Sequence, residues 1–279
     1  MTLIPYPPQR QLSVGEVLDL TFRIYRATLV RCLLFAACGV LAGQLPNVYT
    51  LARGRPLARG SMDVLLAQMR DPAIGTLYFV GALLSAVFYA AVLLRQRNLI
   101  AGDSVGGEFA AALRRLPALI GLGALLLLCA IACFIPAFVI GGGLRWLLGF
   151  AAVLVLCYGF VAVSCAQTVL LVDGAGPVSS LTRSVRLTAG SFWRLSAIYS
   201  VAFVILIALY LVTAAVAGFL AGVLGRGDFA LVTAFAGVVG VALGALGTPF
   251  YSALTLAVLG DLKVRKEGAD LEQRISATA

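Results

Sequence analysis

Apolar residues run through this chain in six long stretches, and the charged residues collect between them. One stretch, Leu195 to Gly225, holds 31 residues without a charge. About 20 apolar residues are enough to cross a bilayer. The pattern predicts membrane spans at about residues 27–45, 73–94, 117–140, 144–172, 192–224 and 229–259.

The first, third and fifth spans each follow a shorter stretch with helical amphipathic spacing. These stretches predict interfacial helices at about 13–26, 105–116 and 177–188. Ser13-Val-Gly-Glu16 has capping-box spacing, with the serine capping the helix start and Glu16 reaching back to it. Ser104-Val-Gly-Gly-Glu108 echoes it. In the third stretch Pro177 suits a first helical turn, where its missing N–H would be unpaired in any case. Val178, Leu181, Val185 and Thr188 share one face, Arg183 and Arg186 lie off it, and Gly190 stands where a left-handed residue ends a helix. Trp193 and Arg194 follow, residue types suited to the headgroup level.

Surface helix, span out, turn and span back thus occur three times. The expected fold is all-α: a polytopic membrane protein of six transmembrane helices arranged as three pseudo-symmetric hairpins. Pro46 and Asn47 are expected to end the first span, and Met62 to Met69 to form a short helix in the long first loop. Gly141-Gly-Gly143 reads as a tight turn, and Pro136 and Pro249 as kinks within their spans. A charged tail, residues 261–279, closes a single membrane domain with no separate soluble part.

Composition agrees, with 61% hydrophobic and 12% charged residues against about 25% charged in soluble domains. The net charge of +9 reads as membrane orientation rather than nucleic-acid binding. With six spans and the N-terminus inside, 15 of the 21 Lys and Arg residues fall on the cytoplasmic side and 6 outside. That bias predicts both termini in the cytoplasm.

The chain has no histidine, which removes the commonest general base and metal ligand. The twelve carboxylates lie in loops, surface helices or the tail, so neither catalysis, a cofactor nor a metal is expected. Cys129 and Cys133 share a helix face, yet buried cysteine ordinarily behaves as a small hydrophobe. Gln167 and Thr168 are the intramembrane polar pair nearest to a substrate path. Gly218 and Gly222, with a stripe of Gly237, Gly240, Gly244 and Gly247, predict close packing of the fifth span on the sixth, or a homodimer face.

Three segments resemble the bacterial membrane proteins grouped with the glycerophosphodiester phosphodiesterase membrane domain: residues 12–26, 172–194 and 260–272. The resemblance implies the membrane part alone, in a bacterial cytoplasmic membrane. The family's hydrolase activity resides in a separate soluble barrel with metal-binding carboxylates and histidines, which this chain lacks.

Two functions follow as expectations. One is a non-catalytic membrane scaffold or accessory subunit that organises a membrane-protein partner or lipids, anionic ones among them. The other is a transporter or flippase for an apolar or amphiphilic substrate. Arg183, Arg186, Trp193 and Arg194 are the candidate headgroup contacts. Their rival role is a clamp in which Arg183 or Arg186 pairs with Asp173, Asp261 or Glu267, with Arg265 beside them in the tail.

Overall fold

The computed structural model describes residues 6–53, 71–140, 143–224 and 229–268. Its elements are α1 (Val14–Gly43), α2 (Leu45–Ala52), α3 (Pro72–Ala101), α4 (Glu108–Arg114), α5 (Leu116–Val139), α6 (Leu144–Val163), α7 (Ala166–Asp173), α8 (Pro177–Thr188), α9 (Phe192–Leu224) and α10 (Phe229–Glu267). No strand occurs among the described residues. Six helical segments are long and apolar enough to cross a membrane, α6 and α7 together forming the fourth.

The capping box forms as read: Ser13 Oγ accepts from Glu16 N–H at 3.3 Å, and Glu16 Oε2 accepts from Ser13 N–H at 2.7 Å. The helix it starts does not stop near residue 26. Val17, Leu20, Ile24, Thr28, Cys32, Ala36 and Gly39 make one unbroken buried stripe at steps of three and four, so a single helix replaces the expected surface helix and span. α1 ends at Gly43 with Gln44 as its C-cap, and Pro46 stands in the first turn of the next helix, α2. The second capping box is absent. One extra glycine puts Gly107, at φ 81°, in the N-cap position, and the Glu108 carboxylate accepts from Gly106 N–H at 3.0 Å instead.

The fourth span breaks between α6 and α7 at Ser164 and Cys165. Ser164 Oγ bonds back to the Val161 carbonyl at 2.8 Å, and the Ala162 carbonyl accepts from Ser184 at 2.9 Å and Thr188 at 3.1 Å on α8. Side-chain hydroxyls thus compete with the helical ladder. The last helix runs past the expected boundary to Glu267, because Leu262 and Val264 are buried and Arg265 pairs one turn back with Asp261. Pro136 and Pro249 lie inside α5 and α10. The expected Met62–Met69 helix and the first two glycines of the expected Gly141-Gly-Gly143 turn lie outside the described residues.

Packing does not divide into three equal hairpins. α1 packs most extensively on α10 and then on α3. The α1–α3 register is fixed by Ser85 Oγ donating to the Gly39 carbonyl at 2.7 Å and Gln96 Nε2 donating to Thr28 Oγ1 at 3.1 Å. A Cβ at Gly81 would stand 2.7 Å from the Ala42 carbonyl oxygen, and one at Gly39 would stand 2.9 Å from Phe88 Cβ. The close backbone approach therefore lies between α1 and α3. Of the expected glycine stripe, Gly244 alone meets a described atom, and that atom is Val40 of α1 at 2.9 Å. For Gly218, Gly222, Gly237, Gly240 and Gly247 a Cβ would meet no described atom within 4 Å. The expected glycine seam between α9 and α10 is not seen among the described residues, although the two helices do pack on each other. Small residues permit close approach, but the larger apolar area buried against α1 decides which helix comes near.

At 1.5 Å per residue, α6 is about 30 Å long while α1, α9 and α10 reach about 45, 50 and 58 Å. A hydrocarbon core is about 30 Å thick. The surplus is packed at one end. Val17, Leu20, Leu170, Leu187, Leu195 and Leu259 all belong to one buried cluster there, near the N-terminus of α1 and the C-terminus of α10. Away from that end, α5, α6 and α9 present bare apolar faces, as at Phe138, Phe150 and Phe203.

Candidate functional site

The charged end of the bundle is tied by two carboxylate nodes. Asp261, in the last third of α10, is 1% exposed. Its Oδ1 accepts from Leu12 N–H at 2.8 Å, its Oδ2 lies 2.7 Å from Arg194 Nη2, and Arg265 Nε reaches both oxygens at 3.2 and 3.0 Å. Arg194 and Arg265 each also donate to the Leu12 carbonyl, at 2.8 and 2.5 Å, and Arg265 Nη1 donates to Gln11 Oε1 at 3.0 Å. The residues before α1, the start of α9 and the end of α10 thus meet at one carboxylate. Tyr6 adds a bond to the Leu256 carbonyl at 3.3 Å. Gly260 leaves room for that segment, since a Cβ there would stand 3.0 Å from both Pro8 and Tyr6.

Arg183 organises the second node. It grips Glu267 with two bonds, Nε to Oε1 at 3.0 Å and Nη2 to Oε2 at 2.7 Å, while its Nη1 lies 3.0 Å from Asp173 Oδ2. Such fork-to-fork pairing fixes orientation as well as charge. The Glu267 carboxylate beside it raises the Arg183 pKa above its ordinary value. Lys263 closes the node on Asp173 at 2.6 Å, and Arg186 stands 3.9 Å from Glu267. Beside it Arg115 donates to the Leu170 and Leu171 carbonyls at 2.6 and 2.8 Å, a cation on the C-terminal end of α7. Gly174, at φ 71°, ends that helix in the left-handed conformation.

Of the candidate contacts, the structure brings Arg183, Arg194, Asp261 and Arg265 into ion pairs and leaves Arg186 and Trp193 largely exposed, Trp193 by 84%. The expected apolar face of α8 divides, with Thr188 buried, Leu181 half-buried and the two valines outward. Ser180, Ser184, Leu187 and Thr188 are buried, and Val178 and Val185 are exposed. The serines and threonine tolerate this because Ser180 bonds the Pro177 carbonyl and the other two bond that of Ala162. Gln167 and Thr168 are neighbours on α7 and point about 100° apart. Thr168 is buried and Gln167 half-buried on α7.

Sequence reading missed Gln96. It is fully buried and ties three helices, through Thr28 on α1 and, on α10, the Pro249 carbonyl at 2.9 Å and Ser252 Oγ at 2.6 Å. The signal was a neutral polar residue between Arg95 and Arg97, hidden by the charges that frame it. Above it, Phe35, Gly39, Gly43, Ser85, Tyr89 and Thr248 line a cavity of about 270 Å³. The Ser85 and Thr248 hydroxyls donate to helix carbonyls. The six cysteines are free thiols, and no group of metal-binding side chains occurs among the described residues.

Fold and site together define an all-helical protein with six membrane-spanning segments and an ion-paired end. No protein-family model, curated protein or solved structure matches the chain.

Proposed function

We propose that this is a non-catalytic integral membrane protein that organises lipid or a membrane-protein partner around a rigid, ion-paired core. The observation that carries the reading is an asymmetry. α1, α3 and α10 are packed and clamped, whereas α5, α6 and α9 turn apolar faces outward. Such faces suit lipid or another membrane helix. The resemblance of three segments to a membrane domain whose catalytic part is a separate barrel agrees with it. Protein reconstituted in liposomes is expected to give no scrambling of fluorescent lipid and no solute flux above protein-free vesicles. Scrambling or flux that scales with protein would overturn the proposal. It would favour a transporter or flippase instead, a reading supported by the cavity beside Ser85 and Tyr89 and by the broken fourth span.

The same proposal sets the clamped end in the cytoplasm, on the 15-to-6 bias of basic residues, and takes the cell as bacterial from the resemblance. Reporter fusions after Arg97 and Ala279 are expected to read cytoplasmic, and one after Arg59 external. A reversed pattern would reject this orientation.

A further inference from the structure

The arginines first suspected of holding lipid, Arg183 and Arg194, are occupied by carboxylates. A different pair is not. Arg23 and Arg26 on α1 are exposed, and neither takes part in an ion pair among the described residues. They share the outward face of α1 with Val30 and Leu34, at steps of three, four and four. Val30 is 83% and Leu34 70% exposed. One face thus changes from guanidinium to bare aliphatic within one turn, about 6 Å of rise.

That change falls where the bilayer boundary is expected from the rest of the fold. At this level Gln96 bonds Thr28 and Pro249, and Arg95 stacks over the Phe35 ring at 5.1 Å. Below it lies the buried cluster of the charged end, and just above it Arg31 is the last charge on α1 before an uncharged run through Ala52. The nearest acidic residue on α1 is Asp19, one turn below Arg23, and it forms no ion pair with it.

We propose that Arg23 and Arg26 hold the phosphate of an anionic phospholipid whose acyl chains lie along Val30 and Leu34. Guanidinium donors match phosphate oxygens, and the adjoining aliphatic side chains match the chains that follow a lipid headgroup. The proposal deepens the lipid-organising reading above and rests on it.

The test uses the full chain in vesicles of phosphatidylglycerol mixed into phosphatidylcholine. Lipid carried with the protein into mild detergent is quantified against the bulk composition. Wild type is expected to enrich phosphatidylglycerol. Two arginines at an anionic surface are together worth about a thirtyfold preference, so Arg23→Gln with Arg26→Gln should weaken phosphatidylglycerol binding by about that factor. Arg23→Lys with Arg26→Lys should retain much of it, Asp19→Asn should strengthen it, and Arg186→Gln should leave it unchanged. Thermal unfolding checks that each variant is folded, which exposed, unpaired positions permit. The site is rejected if the folded double glutamine variant keeps wild-type enrichment. It is rejected equally if Arg186→Gln removes as much, or if inorganic phosphate displaces the lipid and so marks a soluble-anion site. Protein-dependent scrambling with enrichment intact would reject the scaffold reading and leave the lipid site standing.

Discussion

Asp261→Ala is expected to destabilise the protein by about 3–5 kcal/mol, the range for removing one partner of a buried ion pair. The carboxylate is 2% exposed and serves two guanidinium groups and one backbone N–H. Without it Arg194 and Arg265 face each other with only the Leu12 carbonyl between them. Two like charges then share a half-buried site. Asp261→Asn keeps the shape and an acceptor for Leu12 N–H but not the charge, so its loss should be smaller. The measurement is thermal unfolding in detergent, with limited proteolysis of the segment before Ser13 as a second readout. An unchanged midpoint and a still-protected N-terminal segment for Asp261→Ala would show that the node does not hold the ends together.

Gly81→Leu is expected to cost about 3 kcal/mol, the upper end of ordinary overpacking. The obstacle is the Ala42 carbonyl oxygen, 2.7 Å from where the first side-chain carbon would sit. A backbone atom cannot rotate out of the way, so α1 and α3 must separate, and the Ser85–Gly39 bond would be lost with them. Gly240→Leu is the matched comparison on α10, where a Cβ meets no described atom. It should not lower the midpoint. Equal losses for the two variants would mean that the α10 glycines have a tight neighbour after all.

The six spans were legible because a bilayer demands long apolar helices, and few other segments mimic them. The Ser13 cap was legible because it is a contact within four residues. The Arg183–Glu267 pairing was visible only as one of two roles for Arg183, since charge alone does not distinguish a carboxylate from a phosphate. The glycine stripe of α10 was ambiguous for a related reason. A glycine stripe says that a helix can be approached closely, and says nothing of which helix does so. The Asp261–Leu12 contact left no local signal at all, because one partner is a backbone N–H. Gln96 was obscured by its neighbours, although Pro249 and Ser252 on α10 were both noticeable as polar or helix-breaking positions in an apolar run.

Leu12 and Asp261 meet across 249 positions of the chain. A ribosome adding about 5–20 residues per second needs about 10–50 s to cover that distance. For that interval the first helix has been made and its largest partner has not. Its Val17, Leu20 and Ile24 face can lean on α3 but not on α10. The newborn protein therefore carries an unfinished seam at the membrane surface until its final helix emerges. Closure of the bundle waits on the synthesis of α10, and until then the opening segment of the chain lacks the carboxylate that holds it.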